Sequence, residues 1–211
     1  MIGRIVVIAG ASSAAGRAAA SALSARGERV VAVGSNADRL RDVAAAAHYV
    51  CDLSRAEDVH ALANQIRSEV GAPDGLVHLV GGWRAGQDEE GWLWLERQLV
   101  TTLRNTTLAF RDDLTASPAG RLAVVSATAV DSPTWSNANY ATAKTAAEAW
   151  VAAIGSGWAK ANTAAAVRFV VRSIGDGDGA TSVTTLADAI AGLWDAPAYD
   201  LNRARVYLTG R

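Results

Sequence analysis

The chain has 211 residues, half of them hydrophobic and 19% charged, which suits one domain with a sizeable core. A formal net charge of −1 gives no electrostatic argument for nucleic acid or an anionic membrane as a partner. A single cysteine, Cys51, excludes an internal disulfide, and the longest early apolar run is too short for a bilayer, so a cytoplasmic protein is expected.

In chain order, residues 4–9 form a Val/Ile-rich run that predicts a first strand. The turn Gly10-Ala11-Ser12-Ser13-Ala14-Ala15-Gly16 follows, then an alanine-rich helix over 16–26. Further strands are predicted over 29–33, 75–80, 121–126, 166–171 and 205–208, with a shorter one at 48–50. Helical segments fill 55–70, 91–117 and 137–161, and the loops 81–91 and 175–180 are rich in glycine and acid. Continuous apolar runs fit strands covered on both faces, and regular strand–helix alternation implies right-handed crossovers in a parallel sheet. The expected fold is α/β, a Rossmann-type doubly wound parallel sheet of about seven strands with helices on both faces, in three layers. With no repeat and no linker, residues 1–211 read as one domain.

The first turn carries a chemical signal. Gly10 suits a tight turn at positive φ, and Gly16 lets the next helix start close to the sheet with its free N–H groups facing a pyrophosphate. Small residues at such turns also occur without any ligand. Downstream, Tyr140-Ala141-Thr142-Ala143-Lys144 puts a phenol and an ammonium four residues apart on one helix face. Asp52 follows the third strand, where it also suits a turn or helix cap, and Gly81 closes the fourth.

Together these landmarks resemble the short-chain dehydrogenase/reductase family along nearly the whole chain. The family turn reads Thr-Gly-x-x-x-Gly-x-Gly; Ala9 stands for the threonine and Ala14 for the middle glycine. The resemblance implies that Gly10, Ser12, Ser13, Ala15 and Gly16 hold the pyrophosphate of a nicotinamide dinucleotide. Asp52 would meet the adenine and Gly81 and Gly82 the adenosine side, with Leu53 and Ile174 among the other cofactor-binding residues. Where the family has Asn-Asn-Ala-Gly, this chain has His78-Leu79-Val80-Gly81, and His78 reads as a strand histidine. After the second strand no acid occupies Gly34; Ser35, Asn36 and Arg39 can meet a 2′-phosphate, so NADP(H) is favoured and NAD(H) remains possible. Asp38 is a competing sign that reads as a cap for the next helix.

At the reactive end, the resemblance makes Tyr140 the general acid/base and Lys144 the residue that tunes it and holds the nicotinamide ribose. An isolated phenol titrates near about 10, and neighbouring positive charge is expected to lower that value. The family serine, thirteen residues before Tyr140, is Ala127 here; Ser126 and Thr128 flank it. The family's helix asparagine aligns with Thr102. Quinonoid dihydropteridine reductases, within the family, share the alanine and a Gly-Gly-Trp after the fourth strand, similar to Gly81-Gly82-Trp83 here. Trp83, Ala127, Thr128 and Trp135 are therefore expected on the substrate side; Arg84 is either a ligand for a polar group or solvated. No metal is expected.

These residues imply an NAD(P)H-dependent oxidoreductase acting on a C=O or C=N group of a small, flat, partly apolar substrate. The departures at Ala127 and Thr102 leave two alternatives, a non-redox enzyme on the same scaffold and a cofactor-binding regulatory protein. By resemblance, a homodimer or homotetramer would form through the helices at 91–117 and 137–161.

Overall fold

Among the described residues seven strands alternate with helices, and all pair in parallel in the order β3-β2-β1-β4-β5-β6-β7. They are β1 (Ile5–Ala9), β2 (Arg29–Gly34), β3 (Ala47–Val50), β4 (Gly75–His78), β5 (Arg121–Ala127), β6 (Ala165–Val171) and β7 (Arg205–Tyr207). The helices are α1 (Ala14–Ala25), α2 (Ala37–Leu40), α3 (Ala56–Glu69), α4 (Glu89–Glu96), α5 (Thr102–Ala116), α6 (Ala138–Trp158), α7 (Val183–Ala191) and α8 (Ala198–Leu201). The computed structural model describes residues 3–160 and 162–208; Ala161, the expected last residue of the helix at 137–161, lies outside them.

The strands alternate their side chains between two cores, as the pleat requires. Val7, Ala9, Val31 and Val33 pack with Leu62 and Ile66 of α3, Phe110 of α5 and Val151 of α6. Val6, Ile8, Val30 and Ala32 face the other way, onto Ala19 and Leu23 of α1 and Leu186 and Ile190 of α7. Helices on both faces of an all-parallel sheet make the three expected layers.

Several boundaries differ from the sequence reading for local reasons. Helix α1 starts two residues early, at Ala14, because Ser13 caps it: its Oγ accepts from Gly16 N at 3.0 Å. Asn36, not Asp38, caps α2 by accepting from Arg39 N at 2.9 Å, and Asp38 pairs instead with Arg41 at 2.9 Å. Strand β4 ends at His78, short of the expected Val80, although Leu79 N still donates to Ala9 O at 2.8 Å. The segment at 91–117 divides into α4, a π-helical turn at Arg97–Thr101, and α5.

Strand order makes the cleft. β1 has β2 on one side and β4 on the other, so successive crossovers part company between β1 and β4. In doubly wound sheets such a switch point, at the carboxyl ends of the strands, is where ligands bind. The turn after β1 and the loop after β4 are its two lips. Close approach there depends on Gly16: a Cβ at that position would lie 2.5 Å from Gly10 O and 2.6 Å from Ala11 O. Alanine usually stabilises a helix relative to glycine, but backbone oxygens this close reverse the sign. Gly16→Ala should lower stability by about 1–3 kcal/mol in urea unfolding, as overpacking does elsewhere; a variant as stable as the parent would contradict this packing.

Candidate active site

The site begins at the first turn. Gly10 takes φ 83°, and the N–H groups of Gly10 and Ala11 both donate to Val33 O, at 2.9 and 3.0 Å. A Cβ at Gly10 would sit 2.9 Å from the backbone of Leu79 and Val80, so the β1 turn lies directly against the β4 loop. Ser13 Oγ donates to Gly10 O at 2.9 Å while accepting from Gly16 N, which locks the turn onto the first turn of α1. The helix starts with exposed Ala14 and buried Ala15, both lining the cleft, so N–H groups at the positive end of the helix dipole face it. A cradle with no room for side chains beneath and free donors above fits a dinucleotide pyrophosphate.

One cavity of about 1080 Å³ runs from this turn to the ends of β4, β5 and β6. Of the expected residues, it brings together Ser13, Ala15, Gly81, Gly82, Trp83, Ala127, Thr128, Tyr140, Lys144 and Ile174. Gly10, Ser12 and Gly16 belong to the turn beneath. Ser35, Asn36, Arg39, Asp52 and Leu53 stand apart from the cavity, beyond the ends of β2 and β3. There Asp52 accepts from Ser54 N and Oγ at 3.0 and 2.7 Å and pairs with Arg97 at 3.0 Å, which holds its carboxyl below the usual carboxylate range. Leu53 is buried, with its carbonyl accepting from Asn105 Nδ2 at 3.1 Å.

Trp135 does not join the cavity. It is 79% exposed on a loop where its carbonyl accepts from Gln87. Arg84 is also turned away: its guanidinium stacks on Trp94, 4.5 Å from the ring centroid, and pairs with Glu90 at 3.2 Å. Trp94 in turn fills the space over Gly82, where a Cβ would meet its ring at 2.2 Å. The Gly81-Gly82-Trp83 loop is thus pinned to α4, and Trp83, 64% exposed, projects at the mouth of the cavity. Asp88 caps α4 by accepting from Gly91 N at 2.8 Å, with Glu89 and Glu90 in its first turn.

Helix α6 carries Tyr140 and Lys144, the candidate reactive pair. Tyr140 is half-buried and Lys144 buried, with Nζ 5.8 Å from the tyrosine ring centroid and donating to Val125 O at 2.7 Å. Burial raises the Tyr140 phenol to about 12, opposite in direction to the lowering expected from the neighbouring ammonium. Burial drives Lys144 down to about 8, partly offset by Glu148 one turn on. Ala127 is buried at the end of β5, whereas Ser126 donates to Glu148 Oε1 at 2.5 Å on the inner side. Thr102 is buried too, its Oγ1 donating to Gln98 O at 2.6 Å across the π-helical turn.

Sequence reasoning passed over Glu148, which extends the i, i+4 spacing of Tyr140 and Lys144 by one more step. It is buried and paired with Arg205 at 3.0 Å and Arg168 at 3.4 Å. Arg205 also pairs with Asp131 at 2.7 Å on the cavity wall. Asp131, Ser132 and Asn137 are further polar lining that sequence reasoning passed over; no motif marks them.

The buried ammonium has a measurable consequence. Its folded value, about 8, lies below the ordinary 10.5, so between these pH values the unfolded chain holds the proton more tightly than the folded one. Stability should therefore rise with pH across that window and be flat in this respect below it. Relative to Lys144→Met, the parent should gain about 3 kcal/mol between pH 8 and 10.5, at about 1.4 kcal/mol per pKa unit. Urea unfolding of both proteins over that range checks this; a pH-independent difference would contradict it.

Comparisons with known proteins identify the family and the fold. Residues 4–180 match the short chain dehydrogenase family. A D-threitol dehydrogenase from Mycolicibacterium smegmatis is 35% identical over 96 residues, spanning 42% of this chain and 37% of that protein's own length. Among solved structures, an NADPH-bound short chain oxidoreductase from Pseudomonas aeruginosa with an atypical catalytic centre superposes with a TM-score of 0.89 at 17% identity, covering 98% of this chain and 95% of that one. An NAD+-bound xylitol dehydrogenase superposes with a TM-score of 0.84 at 15% identity, covering 99% and 98%. The chain belongs to the short-chain dehydrogenase/reductase family of NAD(P)-dependent oxidoreductases.

Proposed function

We propose that this chain is an NADP(H)-preferring reductase that delivers hydride to a C=O or C=N carbon of a small, flat, partly apolar molecule. The observation that carries this reading is the continuous cavity joining the donor-rich start of α1 to Tyr140 and Lys144. When bound, the dinucleotide supplies the hydride. Ser13, Ala15 and the glycine turn hold its pyrophosphate, and Lys144 holds its nicotinamide ribose.

A phenol at about 12 keeps its proton at neutral pH, so Tyr140 is set to donate to the substrate oxygen or nitrogen as negative charge develops there. The Lys144 ammonium stabilises the phenolate left behind. With Ala127 in the family serine's place, polarisation of the substrate falls to Tyr140 and to the substrate's own conjugation. That favours a ring that is already polarised, as in the quinonoid substrates that the Gly81-Gly82-Trp83 likeness suggests. Trp83 offers it a flat apolar wall, and Thr128 and Ser132 offer hydroxyls.

The fold accommodates either dinucleotide, since one neighbour holds NADPH and another NAD+. Preference for the phosphorylated one rests on the end of β2: Gly34, Ser35 and Asn36 carry no acid, Asp38 is engaged by Arg41, and Arg39 is exposed with no ion pair among the described residues. A homo-oligomer is proposed through α4–α5 and α6, where Leu93 and Leu108 stand exposed.

Purified protein should bind NADPH more tightly than NADH and consume it with members of a carbonyl and imine panel. Tyr140→Phe should lose about a hundredfold or more of that rate while keeping its NADPH affinity. Equal activity in Tyr140→Phe would overturn the assignment.

A further inference from the structure

Beside Lys144 lies a second, smaller chamber, which shares Val80, Val125, Ser126 and Lys144 with the wall of the main cavity. It has a volume of about 20 Å³ and is lined by His78, Val80, Leu99, Ser126, Lys144 and Glu148, among others. That space suits one water molecule, provided two to four polar groups can hold it. His78 is only 3% exposed, and its Nε2 has no hydrogen-bond partner. An unpaired polar atom in the centre of a sheet is costly and calls for a partner.

The neighbours of His78 decide what that nitrogen is. Burial and the nearby Lys144 ammonium drive the imidazole down to about 3, so it is neutral near pH 7. A neutral imidazole has one N–H and one lone-pair nitrogen; with the proton on Nδ1, Nε2 is an acceptor. Lys144 has three N–H donors, of which Val125 O takes one at 2.7 Å.

We propose that His78 is a positioning residue for the Tyr140–Lys144 pair: through one water molecule in this chamber, its Nε2 lone pair holds the Lys144 ammonium. Ser126, whose hydroxyl hydrogen goes to Glu148, has oxygen lone pairs left for the same water. The family's asparagine position on the helix is filled by Thr102, whose hydroxyl is spent on Gln98 O. Support for the lysine comes in this chain from β4 instead. The charged and titratable groups around Lys144 are Tyr140 and Glu148 on its own helix, His78 on β4, and Arg168 and Arg205 behind Glu148. The catalytic consequence rests on the reductase reading above; the placement of the ammonium does not.

The chain contains two lysines, Lys144 and the exposed Lys160, so selective ¹⁵N-lysine labelling resolves the Lys144 ammonium directly. In His78→Phe the water-held hydrogen bond is lost, and the Lys144 pKa should fall by about one unit from its parental value. His78→Gln, whose amide reaches the same space, should restore it. With an active substrate from the panel, kcat should fall in His78→Phe and recover in His78→Gln, with KM, NADPH affinity and melting temperature retained. In the parent protein, a long-lived water should give Overhauser contacts to both the Lys144 ammonium and the His78 ring; this measurement stands even where His78→Phe does not fold. An unshifted Lys144 titration in a folded His78→Phe, no rescue by His78→Gln, or no such water in the parent would each overturn the proposal. A protein that turns over no substrate would instead count against the reductase reading and leave the titration result intact.

Discussion

The site is organised around one buried positive charge. Lys144 sits under Tyr140 with its ammonium tied to Val125 O at the end of β5, and desolvation there takes it well below an ordinary lysine. A lone ammonium in such a place would lose its proton or leave. It stays because α6 brings Glu148 one turn along, and Glu148 is fixed by Ser126, Arg168 and Arg205 from three successive strands. The sheet therefore does more than carry the helices; its last three strands supply Ser126, Arg168 and Arg205, which fix the Glu148 carboxylate that lies one turn from the cation. Small residues make this possible: Ala143 and Ala147 bring α6 onto the sheet and the π-helical segment without side chains in between.

The two ends of the cavity follow different physical rules. At the first turn, geometry dominates: Gly10 and Gly16 are wedged against backbone, and the chemistry is carried by N–H groups that no substitution of surface side chains would remove. At the reactive end, electrostatics dominates, and the identities of His78, Tyr140, Lys144 and Glu148 matter individually. This explains how the chain departs from its family at Ala127 and Thr102 while superposing so well on distant members. The backbone cradle is insensitive to those departures, whereas the reaction that the centre performs is not.

Much of this was legible in the sequence. Continuous runs of Val, Ile and Leu marked the strands because both faces of a parallel sheet are buried, and the i, i+4 spacing of Tyr140 and Lys144 placed them together. What escaped was decided by tertiary contact. Trp135 shares a loop region with site residues, yet its side chain turns outward, and Arg84 is claimed by Trp94. The cap at Ser13 was hidden because glycine, not serine, dominated the reading of that turn. His78 looked like an ordinary strand residue, and in secondary structure it is one. Only the orphaned Nε2 and the chamber beside Lys144 give it a further meaning. Glu148 was invisible for a related reason: a carboxylate on an alanine-rich helix reads as solvent-facing until three arginine and serine partners are found across the sheet.

The central claim is that the glycine turn and the Tyr140–Lys144 pair are two ends of one dinucleotide site. The direct measurement is the ¹⁵N-lysine spectrum of the protein as NADPH is added, with binding followed independently by fluorescence of the seven tryptophans. The account predicts that the Lys144 ammonium signal moves in proportion to saturation while that of Lys160 stays in place. Saturable NADPH binding that leaves the Lys144 signal unmoved would contradict it.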